Sequence, residues 1–352
     1  MVDLARHLDP APDDPGGRGR EGRVLAPTVI TVAYRAGDAL GRLLDSLGPE
    51  SPHEVIVVDN GGDVTARDGV TLLSPGENLG YGAGNNLAAR QATGEALVFL
   101  NPDTVVLPGA LAALVAPLED PSVGIVTARL RLMDDPETLN SAGNRVHVTG
   151  IAWAGGYGEP AESVSELEDV PFPSGAAMAI RRDLFEELGG FTEELFLYQE
   201  DLILGWRVRL RGLRVVVSPQ ADVLHDYDFD RNPGKQYWLE RNRLVFVLSS
   251  FSPRLLVLLS PVLASAELAM LALALKEGWA GEKVRGWGWL IRHARWLHKH
   301  RRETQRLRRV RDRELARFLS PVLAPAMIPV PSPVRAINPL VARYWKLVKK
   351  LL

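Results

Sequence analysis

Leu97-Val98-Phe99-Leu100 is an apolar run that stops on Asn101-Pro102-Asp103. In an open α/β sheet, ligands bind at the carboxyl ends of strands. A carboxylate there can hold a hard divalent cation that also touches phosphate oxygens, although Asn-Pro-Asp is also ordinary turn chemistry. A second candidate is Glu200-Asp201, two adjacent carboxylates at the start of a helix expected to be amphipathic and to run through Val208 and Leu210. Acidic residues favour a helix N-terminus, and a general base needs the same placement on a rigid element facing a cleft. A third is Asp59, which ends the run Val55-Ile56-Val57-Val58. It can accept the N3–H of a uracil or thymine ring, or simply cap its loop. His225 follows a strand and reads either as a structural histidine or as a metal ligand.

Positioning these groups requires alternating strands and helices. Thr28 to Ala33 is a continuous apolar strand of the buried parallel type. Leu40, Leu43, Leu44 and Leu47 recur at helical spacing, and the Asp59 strand follows, making a βαβ unit. Residues 70–73 form a short third strand that runs into Asn78-Leu79-Gly80-Tyr81-Gly82-Ala83-Gly84-Asn85-Asn86. These alternating glycines predict a loop that approaches a ligand closely, followed by a helix offering its N-terminus to an anion. The third glycine comes one residue too early for a dinucleotide fingerprint. Further on, 107–118 reads as helix, 123–126 as strand, 172–180 as strand, 182–188 as helix and 213–217 as strand. Residues 129–170 show no regular pattern and are expected to be an irregular, acceptor-side insertion.

The chain has 352 residues and no cysteine, which excludes disulfides, thiolate metal sites and a cysteine nucleophile. Its net charge of −2 hides an uneven distribution. Residues 276–313 hold 13 Lys/Arg against 4 Asp/Glu, which points to an anionic surface. Residues 1–26 are rich in Pro, Gly, Asp and Arg without an apolar stretch, so they are expected to be a disordered leader and the catalytic part cytoplasmic. Residues 255–275 are long and apolar enough to span a membrane. Glu267 near the centre, Pro261, and basic residues on both flanks favour a re-entrant or interfacial segment instead. Trp279, Trp287, Trp289 and Trp296 interleave with Arg and Lys as in an interface belt, a composition also found in nucleic-acid binders. The preceding apolar stretch favours the membrane. The hexapeptide 259–264 recurs at 319–324. Residues 339–352 predict a helix with Leu340, Val341, Tyr344, Trp345, Val348 and Leu352 on one face, either lying in the interface or packed on protein.

Together these stretches, over 27–250, resemble the family 2 glycosyltransferases, and within them the bacterial rhamnosyltransferase-like branch. The resemblance implies an α/β GT-A fold, a Rossmann-like and mostly parallel sheet flanked by helices, with 251–352 as a helical membrane-associating region. It implies that Ala33, Tyr34, Asp59, Asn78, Gly80, Asn85, Asn86 and Asn101 contact the nucleotide. Asn101-Pro102-Asp103 takes the place of the family's D-x-D motif, with Asp103 and His225 on a Mg²⁺ or Mn²⁺ ion. Glu200-Asp201 matches the E-D motif, whose Asp is the catalytic base. Residues 237–244 resemble a segment found where the catalytic domain meets the membrane. The implied reaction is a metal-dependent inverting transfer from a dTDP- or UDP-sugar, with rhamnose as the candidate, to a lipid-linked or cell-envelope glycan acceptor. It would take place at the cytoplasmic membrane face, with no nucleic-acid partner. The rival expectations are a non-catalytic membrane scaffold and a Rossmann-type nucleotide oxidoreductase.

Overall fold

A computed structural model describes residues 25–226, 234–326 and 332–352; most of the expected leader lies outside them. The amino-terminal half is β1 (Pro27–Ala33), α1 (Asp38–Leu47), β2 (Glu54–Asp59), β3 (Thr71–Leu73), α2 (Gly80–Ala89), β4 (Ala96–Leu100), β5 (Thr104–Val106) and α3 (Ala110–Val115). Then come β6 (Val123–Leu132), β7 (Leu139–Ser141), β8 (Asn144–His147), β9 (Ala152–Ala154), β10 (Glu168–Asp169), β11 (Ala177–Arg181), α4 (Arg182–Glu187), α5 (Glu200–Leu210) and β12 (Arg214–His225). The rest is α6 (Lys235–Ser250), α7 (Pro253–Glu277), α8 (Ala280–Arg292), α9 (Ala294–Arg306), α10 (Asp312–Leu315), β13 (Leu319–Ser320) and α11 (Ser332–Leu351).

The main sheet runs β10-β12-β6-β11-β4-β1-β2-β3. The β4-β1-β2-β3 half is parallel, as its continuous apolar strands require. The other half is mixed, because β11 pairs antiparallel with both β4 and β6, so the expected mostly parallel sheet is corrected to a mixed one. Central β4 is buried at every position, which fixes where Asn101 leaves the sheet.

Three further expectations change. Residues 129–170 are not irregular: β6 continues to Leu132, and β8, β9 and β13 form a second small sheet. His225 does not follow a strand but ends one. β12 runs twelve residues through Pro219, with a register shift between Ser218 and Asp222 absorbing the proline. Helix α5 is not amphipathic but buried almost throughout. Its arginines are inside because backbone carbonyls receive them: Arg207 donates to Leu188 and Gly190, and Arg209 to Val170 and Val215.

The carboxyl-terminal helices share a core with the sheet domain. Trp206 of α5 packs with Phe246, Phe251, Leu255 and Leu259, and Trp345 and Val348 of α11 join the same cluster. α7 is long and apolar enough to cross a membrane, and only 11% of its most apolar window is buried. Glu267 nevertheless points into the protein, paired with Arg243 and Lys283. The four tryptophans face the protein more than a belt would. Trp279 lines a cavity, Trp287 donates to Glu267, and Trp289 and Trp296 pack against the α5–α6 core. In α11, Val341, Tyr344, Trp345 and Val348 pack inward, as does Leu352 just beyond it, whereas Leu340 and Leu347 are exposed.

Candidate active site

The ends of β4 and β12, the turn before β11 and the start of α5 meet around a cavity of about 790 Å³. Its lining includes Asn101, His225, Gly175, Glu200 and Asp201. Thus residues about 100 positions apart in sequence line one space, with Asp103 adjoining it through His225. Asp103 Oδ1 lies 3.4 Å from His225 Nε2, because β5 and β12 pair His225 opposite Thr104.

On the other side of the ring, His225 Nδ1 lies 2.9 Å from Asn140 Oδ1. The Asn140 amide thus orients the ring so that Nε2 faces the Asp103 carboxylate. An imidazole oriented in this way beside a carboxylate is a metal-binding arrangement. No group of three or more such ligands occurs among the described residues. Two protein ligands, with the rest supplied by water and phosphate oxygens, is how Mg²⁺ is commonly held.

The carboxylate pair is set by the backbone. Asp201 accepts from Gly175 N–H at 3.0 Å and from Leu202 N–H at 2.7 Å. Burial raises its affinity for protons and those two bonds oppose the rise. Glu200 is raised by burial and additionally by the charge of Asp201, and its Oε2 is buried with no hydrogen-bond partner. Glu200 therefore keeps its proton more readily, and Asp201 is the anionic member. Tyr81 donates to the Gly175 carbonyl at 2.6 Å. Burial, then the charges of Glu200 and Asp201, hold its phenol protonated.

The residues expected around the nucleotide divide into two groups. Tyr34 is 48% exposed at the end of β1, Asn101 lines the cavity, and exposed Asn78 accepts from Gly80 N–H. Asp59 accepts four backbone N–H groups, from Gly61, Gly62, Asp63 and Val64, and the Ala33 carbonyl accepts Asn60 N–H. The glycine segment corrects the expectation of a ligand-approaching loop, since α2 begins at Gly80 itself. A Cβ on Gly80 would sit 2.3 Å from the Phe196 carbonyl oxygen, and one on Gly84 would sit 2.9 Å from Val32. These glycines admit protein rather than ligand. Asn85 is 1% exposed and donates to the Tyr81 carbonyl. Asn86 donates to the Phe191 carbonyl and Glu193 and accepts from Phe191 N–H. Gly80, Asn85 and Asn86 therefore support the site from behind.

Sequence reasoning missed Asn140, Gly175 and Tyr81 as site residues. Only Tyr81 carried a local signal, an aromatic within the glycine segment; the other two acquire meaning through β7–β12 proximity and the α5 start.

Residues 28–189 match the family Glycosyl transferase family 2. The N-acetylglucosaminyl-diphospho-decaprenol L-rhamnosyltransferase of Mycobacterium tuberculosis is 32% identical over 231 residues, covering 56% of this chain and 75% of that protein. Rhamnosyltransferase WbbL of Escherichia coli is 25% identical over 56% of this chain and 82% of its own length. O-antigen biosynthesis protein RfbC of Myxococcus xanthus is 34% identical, but the match spans only 18% of that longer protein. Among solved structures, GalNAc-T7 with UDP, GalNAc and Mn²⁺ superposes with a TM-score of 0.54 at 18% identity, covering 64% of this chain and 48% of that one. The fold is accordingly GT-A-like, with a mixed sheet and flanking helices, and the chain belongs to the family 2 glycosyltransferases as a rhamnosyltransferase-like enzyme.

Proposed function

We propose that the enzyme is a divalent-metal-dependent, inverting transferase that moves rhamnose from a dTDP-linked donor to a lipid-linked glycan acceptor. The observation that carries this reading is the shared cavity, with Asn101 and His225 on one wall and Glu200-Asp201 on another. Tyr34 and Asp59 mark the base side of the donor, and Asn78 and Asn101 its flanks. Asp103 and His225 would hold Mg²⁺ or Mn²⁺, which when bound supplies Lewis-acid stabilisation of the leaving diphosphate. Asp201, anionic in a buried pocket, takes the proton of the acceptor hydroxyl. That hydroxyl then attacks the anomeric carbon from the side opposite the nucleotide. Glu200, holding its own proton, keeps the pair at a single negative charge.

The acceptor side is read from Met270 of α7, Trp279 and Pro325, which also line the cavity. The same α7 leaves Val257, Leu268 and Leu275 exposed. A hydroxyl presented from the bilayer surface would enter along this apolar flank, with 251–352 as the membrane-associating region on the cytoplasmic face. A docked, interfacial α7 accommodates Glu267 better than a spanning one.

Thermal unfolding with dTDP tests the metal assignment. Nucleotide at about 100 times its Kd stabilises by about 2.7 kcal/mol. The native protein should gain this only with Mn²⁺ present, and Asp103→Ala should lose the gain. Full stabilisation of Asp103→Ala would remove Asp103 from the metal site.

A further inference from the structure

The segment leading into the carboxylate pair is conformationally costly. Phe196, Tyr198 and Gln199 all have positive φ, at 64°, 70° and 67°, a region that residues with a Cβ adopt at a cost. Phe196 has ψ of −55°, and Leu197 N–H donates to the Leu195 carbonyl at 2.7 Å. That is a three-residue turn of the strained kind. Gln199 is the residue immediately before α5, so this conformation sets where Glu200 and Asp201 enter the cavity.

The strained segment is held from outside by two neighbouring residues of α6. Asn242, fully buried, donates its amide to the carbonyls of Leu195 at 3.2 Å, Leu197 at 2.8 Å and Tyr198 at 2.8 Å. Arg241 donates to the carbonyls of Glu194 at 2.7 Å and Leu195 at 2.8 Å, and its Nε fixes the Asn242 oxygen at 2.8 Å. The Arg241 guanidinium itself lies 4.5 Å from the Trp238 ring and 4.4 Å from that of Trp289 in α8. Phe196 stacks on Trp238 at 4.9 Å, and its carbonyl accepts Tyr81 N–H at 2.8 Å.

We infer that Asn242, oriented by Arg241, is the positioning residue that clamps the 195–199 turn and thereby holds the base Asp201 in its reactive place. A buried amide bonded to three carbonyls of one turn over-determines that turn, which is the condition under which backbone strain persists. Without this amide the Leu197 and Tyr198 carbonyls lose the donor that ties them to α6, and the Leu195 carbonyl keeps only Arg241 and the Leu197 N–H. Because Arg241 leans on α8, the clamp also ties the base to the helices that carry the apolar surface. This inference rests on Asp201 being the base.

The test combines hydrogen exchange with turnover on the full chain. Asn242→Asp keeps the side-chain shape but exchanges a donor for an acceptor facing three carbonyls. In the absence of donor and acceptor, the amides of 195–203 should exchange faster than in the native protein, while those of β1, β2 and β4 are unchanged. The probe reaction is dTDP release from dTDP-rhamnose with a polyprenyl-diphospho-N-acetylglucosamine acceptor in detergent. There kcat should fall about 10²-fold, the loss expected for a misplacement of about 1 Å. The donor KM should stay within about twofold, separating positioning from loss of binding. Unchanged exchange at 195–203, an unchanged kcat, or a donor KM that rises in step with the fall in kcat overturns the inference. If Asn242→Asp does not fold, Arg241→Lys carries the same test, with the same exchange pattern and a fall in kcat of about tenfold, since Lys lacks the Nε bond that orients Asn242. Asp201→Asn run alongside keeps the two readings apart. Full activity there sinks the base assignment, whereas the exchange result judges the clamp by itself.

Discussion

Lys283→Met tests whether the apolar helix α7 is docked on the catalytic domain. Lys283 is 1% exposed and bridges Glu240 of α6 at 2.6 Å and Glu267 of α7 at 3.1 Å. Arg243 completes the group, paired with Glu240 at 3.0 Å and also with Glu267. Two cations balance two anions. Removing Lys283 leaves the buried Glu240 and the half-buried Glu267 facing one guanidinium, and breaking a largely buried pair in this way costs about 3–5 kcal/mol. For a chain of this size, at roughly 2 °C per kcal/mol, Tm should fall by about 6–10 °C. The second change, Glu267→Gln, restores the balance to one cation and one anion. The double variant should therefore regain about half or more of the loss, the signature of a direct interaction. Circular dichroism melts of the four proteins in the same detergent give the numbers. A Tm for Lys283→Met within about 1 °C of native would refute the reasoning, because surface pairs of little worth behave that way. It would mean that Glu267 does not fasten α7 to α6 and α8. The cavity wall that Met270 supplies, one helical turn beyond Glu267, would then lose its support.

Two further predictions concern proton transfer and the membrane. The pH profile of kcat/KM should have its acid limb above the ordinary aspartate value of about 4, because burial raises Asp201 and the base works only when ionised. Activity is then lost as pH falls through that raised value, and a limb at or below about 4 would contradict the buried assignment. Leu340→Glu with Leu347→Glu, at residues 67% and 54% exposed on α11, should move the protein from liposomes to the supernatant in a flotation assay while leaving Tm near native. Unchanged partitioning would place the membrane contact elsewhere.

The legible parts of this fold are those where one face or one run decides the structure. β1, β2 and β4 are largely apolar, mostly buried runs, with β2 stopping on Asp59 and β4 just before Asn101. The order of Asp59, Asn101-Pro102-Asp103, Glu200-Asp201 and His225 marked four strand or helix ends, and all four lie at such ends. What escaped depends on partners distant in sequence. The run 213–217 reads as a short strand, yet β12 continues through Pro219 with a bulge. The helix from Glu200 reads as amphipathic, but carbonyls 6 to 39 residues away receive its Arg207 and Arg209 inside the core. The glycines of α2 read as a ligand cradle because sequence does not reveal that Phe196 and Val32 press against them. Asn242 sits in a segment that resembles a membrane junction, and its three acceptors lie 44 to 47 residues earlier.

Asp201 is the residue on which transfer depends most directly. Purified native protein and Asp201→Asn would be compared for nucleoside-diphosphate release from dTDP-rhamnose, with and without Mn²⁺, in the presence of the lipid-linked acceptor. The prediction is Mn²⁺-dependent turnover that falls about 10²–10⁴-fold in Asp201→Asn, the contribution of a positioned general base. Binding of dTDP with Mn²⁺ should be unchanged in the variant. Turnover by Asp201→Asn at the native rate would contradict the assignment of this buried carboxylate as the base.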